Sequence, residues 1–495
     1  MLTSINTRCK LAVLMDLEVL VQGWSTLMSE RPELPVVVIG AGPVGLAAAA
    51  QLLARGITPL VLEAGPAAAT AVREWGHVRL FSRWAELVDP AAEKLLAPTG
   101  WTAPDPDAYP SGRDWAERYL QPLADMLGER VRYDARVTGT ARAGRDRVVD
   151  SGREERPFTV HLTTAGGAEE RLAARAVIDA SGTWSTPAPL GADGLPALGE
   201  RALARAGRIS YRIPDLTDPA VRARYAGRRT AVIGSGASAF TTLAQLAELA
   251  EAVPGTHTEW VLRRGIGAST FGGGEADQLP ARGALGQRAK ASVDNGHATA
   301  TTGFRVAAVE TDGTDGTDGE RLVLVAEDGR RLAGVDQVIV LTGLRPDHSF
   351  LGELRLALDE RLLAPVALAP LIDPNAHSCG TVYPHGVREL SHPEGDVYLT
   401  GMKSYGRAPT FLAMTGYEQV RSIAAALAGD TEAAERVELT LPETGVCGGS
   451  GLFDEAGAVE AGAAEADAGG GCCAPQLVQV GAASGAEGAR TGGGC

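Results

Sequence analysis

Cysteine is scarce in this chain, six in 495 residues, and none falls between Cys9 and Cys379. So few thiols cannot staple a disulfide scaffold, and a reducing cytoplasm is the expected location. Positive charge is also in deficit: 46 Lys and Arg against 61 Asp and Glu leave a net charge of −15. That balance argues against nucleic acid or an anionic membrane as partner. Long hydrophobic runs are missing too. Leu11–Val21 is broken by Asp16 and Glu18 and is too short to span a bilayer, and no small-residue cleavage site marks it as a secretory signal. Residues 1–33 are read as an N-terminal extension to which no function is assigned.

What is present is ordinary for a globular chain, 45% apolar and 22% charged, with length for about three units at about 150 residues each. Within it lie two glycine loops of the dinucleotide-binding kind. The first, Gly40-Ala41-Gly42-Pro43-Val44-Gly45, follows the β-branched run Pro35–Ile39 and opens a strong helix former, Val44–Arg55. Gly40 allows a tight turn, Gly42 lets the backbone approach a pyrophosphate, and Gly45 lets helix and strand pack closely, while the helix N-terminus offers amides and positive dipole. A second strand, Thr58–Leu62, ends in Glu63, the acid expected about 20 positions on as partner of a ribose 2′-hydroxyl. The alternative is a glycine-rich turn opening an ordinary α/β helix.

The second loop, Gly234-Ser235-Gly236-Ala237-Ser238-Ala239, follows the strand Arg228–Ile233 and runs into a helix read over Phe240–Ala250. Here the strand Thr258–Leu262 ends in Arg263 and Arg264, which suit a 2′-phosphate and so NADPH; a solvated arginine pair is the bland reading. The order, acid first and arginines second, places FAD on the first loop and NADPH on the second. The expected fold is α/β, with two Rossmann-like dinucleotide-binding domains. The NADPH domain (190–336) is inserted in an FAD domain made of 34–189 and 337–443. Residues 444–495, rich in Gly and Ala, form a tail expected to be disordered.

Further cofactor contacts are expected at Val137, closing a strand over Arg130–Val137; at Ser181 and Gly182, after the apolar run Ala176–Ala180; at Thr342 and Gly343, where the chain is read as returning to the first domain; and at Gly401 and Met402. A helix is read over Arg113–Leu127. Gly272–Pro280 is read as a flexible loop facing the active site, and Thr311–Gly319 as a polar hairpin tip. The closing turn, Val397–Thr410, precedes a helix over Phe411–Ala428 with Pro409 near its first turn. That helix would aim a positive dipole at the N1/C2 edge of a flavin. Lys403, Tyr405 and Arg407 on this turn are the candidate catalytic residues; as cations, Lys403 and Arg407 would add charge there or hold substrate or nicotinamide, unless they are simple surface cations.

Taken in order, GAGPVG with Glu63, the Ser181–Pro187 segment SGTWSTP, GSGASA with Arg263 and Arg264, Thr342–Pro346 and the Gly401–Phe411 turn resemble the two-dinucleotide-binding-domain flavoproteins, flavin-containing monooxygenase-like branch, over about Pro35–Asp430. More narrowly, Tyr398–Arg421 and the segment ending at Cys447 are similar to flavin-binding monooxygenase-like proteins of bacterial arsenic-resistance clusters. Two departures matter. The family's phenylalanine-glycine-histidine signature has no histidine at its place here, Gly207–Asp215. The redox cysteine pair of the disulfide reductases has no counterpart either, since residues 10–378 contain no cysteine.

Cys447 and the adjacent Cys472 and Cys473 are soft ligands that could hold trivalent arsenic or pass electrons outward from the flavin, the strain of a disulfide between adjacent cysteines favouring the ligand role; the alternative is an incidental low-complexity tail. Cys379 is read as structural, and no metal site is expected. The resemblance implies NADPH delivering reducing equivalents to FAD, which passes them to oxygen with one oxygen atom entering a small or soft nucleophilic substrate. An NADPH-dependent reductase or oxidase is the alternative, and a flavin-bearing redox or metalloid sensor is the alternative of another class. Oligomeric state is left open.

Overall fold

The computed structural model describes residues 34–439 apart from 268–269, 278, 314–320, 377–383 and 409–410. Every cysteine lies outside the described residues, and with them the readings placed on Cys379 and the tail.

Regular structure among the described residues starts with strand β1 (Val36–Ile39), helix Pro43–Leu53 and β2 (Pro59–Leu62), a parallel strand-helix-strand unit that the apolar β-branched runs and the alanine-rich helix dictate. Helical segments over Gly112–Leu127 follow; they are continuous except for a π-helical turn at Ala116–Leu120, just before Pro122, whose ring and missing N–H disfavour regular α-helix. The single strand expected over Arg130–Val137 is two, β3 (Val131–Arg132) and β4 (Ala135–Arg142). Asp134, at φ 51°, breaks them apart and sends them to different sheets. With β5 (Phe158–Thr164) and β6 (Glu169–Ala174), β4 makes an antiparallel sheet, and β7 (Ala176–Asp179) returns to the parallel one.

Next come β8 (Ile209–Ser210), β9 (Arg229–Ile233), helix Ala237–Ala252, β10 (His257–Val261), helix Pro280–Asp294, β11 (Ala298–Thr301), the antiparallel β12 (Val306–Thr311), β13 (Leu322–Ala326) and β14 (Arg331–Val335), and then β15 (Gln337–Val340). The last strand among the described residues is β16 (Val397–Leu399), ahead of helix Ala413–Leu427. The two parallel sheets have the orders β16-β7-β1-β2-β3 and β11-β10-β9-β15-β8. The second sheet thus falls wholly between β7 and β16 of the first. Residues 337–340 correct the sequence reading. They were expected in the returning part of the first domain, yet β15 pairs with β9 and β8. A four-residue buried apolar strand carries no mark of the sheet that will take it.

Each parallel sheet is the middle of three layers. Val36 and Val38 pack with Leu46, Leu52 and the helices, whereas Val37 and Ile39 face Phe158, Val160 and Leu162 of the antiparallel sheet. The second sheet repeats the scheme, with Val232 and Ile339 toward Phe240, Leu243 and Leu246, and Ala231 and Val338 toward Val306, Leu322 and Leu324. Alternation with period two explains both arrangements. Among the described residues no helix is long and apolar enough to cross a membrane.

Candidate functional site

At the end of β1, Gly40 has φ 99°, and a Cβ there would lie 2.9 Å from the Ala180 carbonyl oxygen. A Cβ on Gly45 would lie 1.9 Å from the Gly40 oxygen, so only glycine lets the helix sit this close to the strand. Gly42 differs: nothing stands within 4 Å of its missing Cβ, and its face is open beside the helix N-terminus. Glu63 turns back onto this loop. One carboxylate oxygen accepts from the Ala41 amide at 2.7 Å and the other from the Gly65 amide at 2.8 Å. A carboxylate has about four acceptor sites, so capacity remains for ribose hydroxyls.

The second loop has the same build. Gly234, at φ 130°, would place a Cβ 2.3 Å from the Leu341 oxygen, Gly236 is open, and Ala239 takes the third position fully buried. The Trp260 indole donates to the Gly234 carbonyl at 2.8 Å, an anchor that sequence reading missed. Ala237 and Ser238 start the helix, with Ser235 in the loop before them. Arg263 and Arg264 lie just past β10, and both make contacts with the protein.

A third cluster joins the C-terminal ends of β7 and β16. Asp179 and Lys403 are 0% and 1% exposed, and the Lys403 Nζ stands 2.7 Å from Asp179 Oδ2, an ion pair rather than an aligned hydrogen bond. Lys403 Nζ also donates to Ser181 Oγ at 3.0 Å and lies 4.4 Å from the Phe350 ring centre. The Ser181 amide donates to Asp179 Oδ1 at 3.0 Å, and the Thr400 amide to the Asp179 carbonyl at 2.9 Å. Lys403 is therefore no surface cation: it ties Ser181 to the turn at Gly401–Tyr405. Buried Gln419 completes this knot, accepting from the Gly401 amide at 2.8 Å and donating to Ser404 Oγ at 2.9 Å and to His385 Nε2 at 2.8 Å. Gly401, at φ 66°, and Gly416 pack on Val44, which brings the closing turn, with half-buried Met402, against the first loop.

Other candidates lie apart. Val137 is on β4, part-buried against the core behind the first sheet. Thr342 donates to the carbonyls of Ala188 and Pro189, both at 3.1 Å, and Gly343, at φ 103°, accepts from the Ala188 amide at 2.9 Å; the loop after β15 is pinned to the crossover strand rather than to the first loop. Tyr405 is buried edge-on to Phe411 at 5.1 Å, and burial pushes its hydroxyl far above the usual phenol range. The side chain of Arg407 is exposed. The glycine-rich loop at Gly272 is held down rather than free. Phe271 stacks on Phe240 at 5.9 Å, Asp277 pairs with Arg282 at 2.8 Å, and Gly283 and Gly286 of the following helix abut the Gly274 and Phe271 carbonyls.

A histidine does reach the stretch where the family signature lacks one. His77, from the segment after β2, lies by the backbone of Ile213 and Pro214 and near Asp215 and Arg113; its Nε2 is buried without a hydrogen bond, and burial lowers its pKa. Beside it Arg212 stacks on Trp184 at 3.8 Å, and the Trp184 indole donates to Glu74 at 2.5 Å. Sequence offered no signal for this, since the contact joins segments over 130 positions apart.

Two parallel sheets, each ending in a glycine loop at a helix N-terminus, define a two-dinucleotide flavoprotein. Residues 34–366 match the model of the pyridine nucleotide-disulphide oxidoreductase family, and the chain belongs to that family. It is an FAD-dependent, NAD(P)H-using oxidoreductase. No curated protein matches its sequence. Among solved structures it is similar to the bacillithiol disulfide reductase Bdr (YpdA) from Bacillus cereus, with 20% identity and TM-score 0.57 over 80% of this chain and 99% of that one. It is also similar to the FAD-bound cadaverine monooxygenase DfoA from Erwinia amylovora (15%, TM-score 0.51, 83% and 99%) and to the ornithine hydroxylase PvdA from Pseudomonas aeruginosa (18%, TM-score 0.50, 81% and 100%). At these identities the likeness is one of fold.

Proposed function

We propose that the first loop, with Glu63, Ser181, Gly182, Gly401 and Met402, holds FAD, that the second loop, with Arg263 and Arg264, holds NADPH, and that the protein is a monooxygenase of a small or soft nucleophilic substrate. The observation that carries this reading is the gap in thiols: with no cysteine in residues 10–378, no dithiol pair stands at either place where the disulfide reductases carry one, and this favours a diffusible acceptor over the remaining thiols of the tail, Cys447, Cys472 and Cys473. The activities named for DfoA and PvdA favour oxygen as that acceptor. The reaction balances as NADPH + H⁺ + O₂ + substrate giving NADP⁺ + H₂O + oxygenated substrate.

When bound, the flavin supplies the two-electron chemistry. The chain's own residues position it. Glu63 fixes the first loop and offers acceptors to a ribose; the open faces of Gly42 and Gly236 admit a pyrophosphate; and the Asp179–Lys403 pair holds the Ser181 and Gly401 turns to one another. The helix Ala413–Leu427 begins beyond the closing turn, and its positive end would favour an electron-rich edge of a flavin held by that turn.

A second reading, a reductase whose acceptor is a diffusible disulfide, draws support from the activity named for Bdr. One experiment separates them. NADPH-fed holoenzyme is supplied with ¹⁸O₂ and a substrate panel starting from trivalent arsenicals and thioethers. One ¹⁸O atom per NADPH in the product is expected; NADPH consumption matched by hydrogen peroxide alone, or by thiol release from an added disulfide, overturns the monooxygenase.

A further inference from the structure

The two glycine loops agree at their second glycine and part at their first. Gly42 and Gly236 cap their helices with nearly the same backbone, φ −80° and ψ −175° against φ −96° and ψ −179°, whereas Gly40 has φ 99° and Gly234 φ 130°. The third position accounts for the difference. In the first loop a Cβ on Gly45 would lie 1.9 Å from the Gly40 carbonyl oxygen, far inside any contact a Cβ can make. The second loop does carry that Cβ, on Ala239, which is fully buried and stands as far along the chain from Gly234 as Gly45 does from Gly40. A carbonyl placed as in Gly40 would run into the Ala239 methyl, so the Gly234 carbonyl has to be turned elsewhere.

Trp260 receives it. Its indole Nε1–H donates to the Gly234 oxygen at 2.8 Å from a side chain that is 0% exposed. A carbonyl turned toward the interior needs a donor there, and a buried indole N–H, which can only donate, needs an acceptor. Strand pairing brings the ring to this place, since Trp260 lies opposite Val232, two positions before Gly234. Two aromatic rings then fix it: Phe240 meets it edge-on at 6.1 Å and Phe271 at 5.5 Å. Phe240 directly follows Ala239, so the helical turn that carries the methyl also supplies one wall of the indole's pocket. On the other side of the loop Ser235, Gly236 and Ser238 are exposed, the face that a pyrophosphate would approach.

We propose that Trp260 is a positioning residue for the nicotinamide dinucleotide: its indole N–H holds the Gly234 carbonyl clear of the Ala239 methyl and so keeps the second loop in the shape that admits a pyrophosphate. This rests on the reading that the second loop holds NADPH.

The test reads binding and needs no turnover. Oxidised holoenzyme is titrated with NADP⁺ by calorimetry, for the unmodified protein, Gly236→Ala, Trp260→Phe and Trp260→Phe combined with Ala239→Gly, with FAD content recorded for each. Trp260→Phe should bind NADP⁺ at least about fivefold more weakly, as an unpaired buried carbonyl requires, with FAD content unchanged. Adding Ala239→Gly should bring the affinity back to within about twofold, because the carbonyl is then free to sit as in Gly40, although glycine inside a helix lowers stability. A merely structural tryptophan would give no such recovery. Unchanged affinity in Trp260→Phe, or a loss that Ala239→Gly leaves in place, overturns the positioning role. Gly236→Ala with full NADP⁺ affinity would instead remove the nucleotide from the second loop and take the proposal with it. Should Trp260→Phe not fold, the indole N–H signals of ¹⁵N-tryptophan-labelled unmodified holoenzyme decide. Trp84 and Trp115, the other buried indoles among the described residues, lie in the core of the first sheet. A third slowly exchanging signal that shifts on saturation with NADP⁺ is expected, and its absence overturns the proposal.

Discussion

Gly42 combines two properties that separate binding from folding. Its φ of −80° is open to any residue, and its missing Cβ points into free space. Gly42→Ala should therefore fold with an unchanged apoprotein melting temperature, yet carry at least tenfold less FAD after purification, since the added methyl stands where a pyrophosphate would approach. Full FAD content in the variant would show that the dinucleotide does not lie there. Such glycines are legible in sequence because their reasons are local: a turn, a close helix, an open face. Glu63 is legible by distance along one βαβ unit. Asp179, Gln419 and His77 are not, because each acts through a partner that only the folded chain brings near. Asp179 reads as the end of an apolar strand, Gln419 as one polar residue in a helix, and His77 as a loop histidine. Lys403 was visible as a cation on the right turn, but the carboxylate that buries it lies 224 positions earlier, by subtraction of 179 from 403.

Between elements, that ion pair is the clearest join. β7 and β16 are neighbours, with Leu399 opposite Asp179, so the pair fixes the turns that leave both strands. Removing one partner of a fully buried pair leaves an uncompensated charge, and Lys403→Met should cost about 3–5 kcal/mol of stability. Combining it with Asp179→Asn should return more than half of that loss. Denaturant unfolding of the two variants beside the unmodified holoenzyme checks this, and equal losses in single and double variants would count against the pair. The Gly272 loop carries the opposite lesson. Its glycines suggested mobility, whereas two of the glycines that matter, Gly283 and Gly286, serve close packing against it, a use that composition does not distinguish from freedom.

Across the whole molecule, three partly buried histidines contribute to the response to acid. Burial holds His392 down to about 4, and it lowers His348 and His77 as well; the charge of Lys403 adds to the effect at His348. A histidine whose folded pKa lies below its unfolded value near 6.5 binds its proton first in the unfolded chain, so stability falls as pH drops from about 6.5 toward 4. For His392 alone the difference of about 2.5 units corresponds to roughly 3 kcal/mol. Unfolding midpoints measured from pH 7.5 to 4.5 should fall steadily, and His392→Gln should flatten the slope. An unchanged slope would show that His392 is not kept neutral by the fold.

The order of strands also has a consequence for how the protein is made. β16 completes the first sheet, but residues 180–396 separate it from its neighbour β7, while every strand of the second sheet lies within Ile209–Val340. On the ribosome the inner sheet has all its strands in hand first. The outer one waits with one side of β7 unpaired and Asp179 without its lysine until the last quarter of the chain has been synthesised. Birth order thus reverses sequence order: the half that begins the protein is the half that finishes folding, and a nascent chain stalled before Val397 would expose a bare strand edge to its neighbours on the polysome.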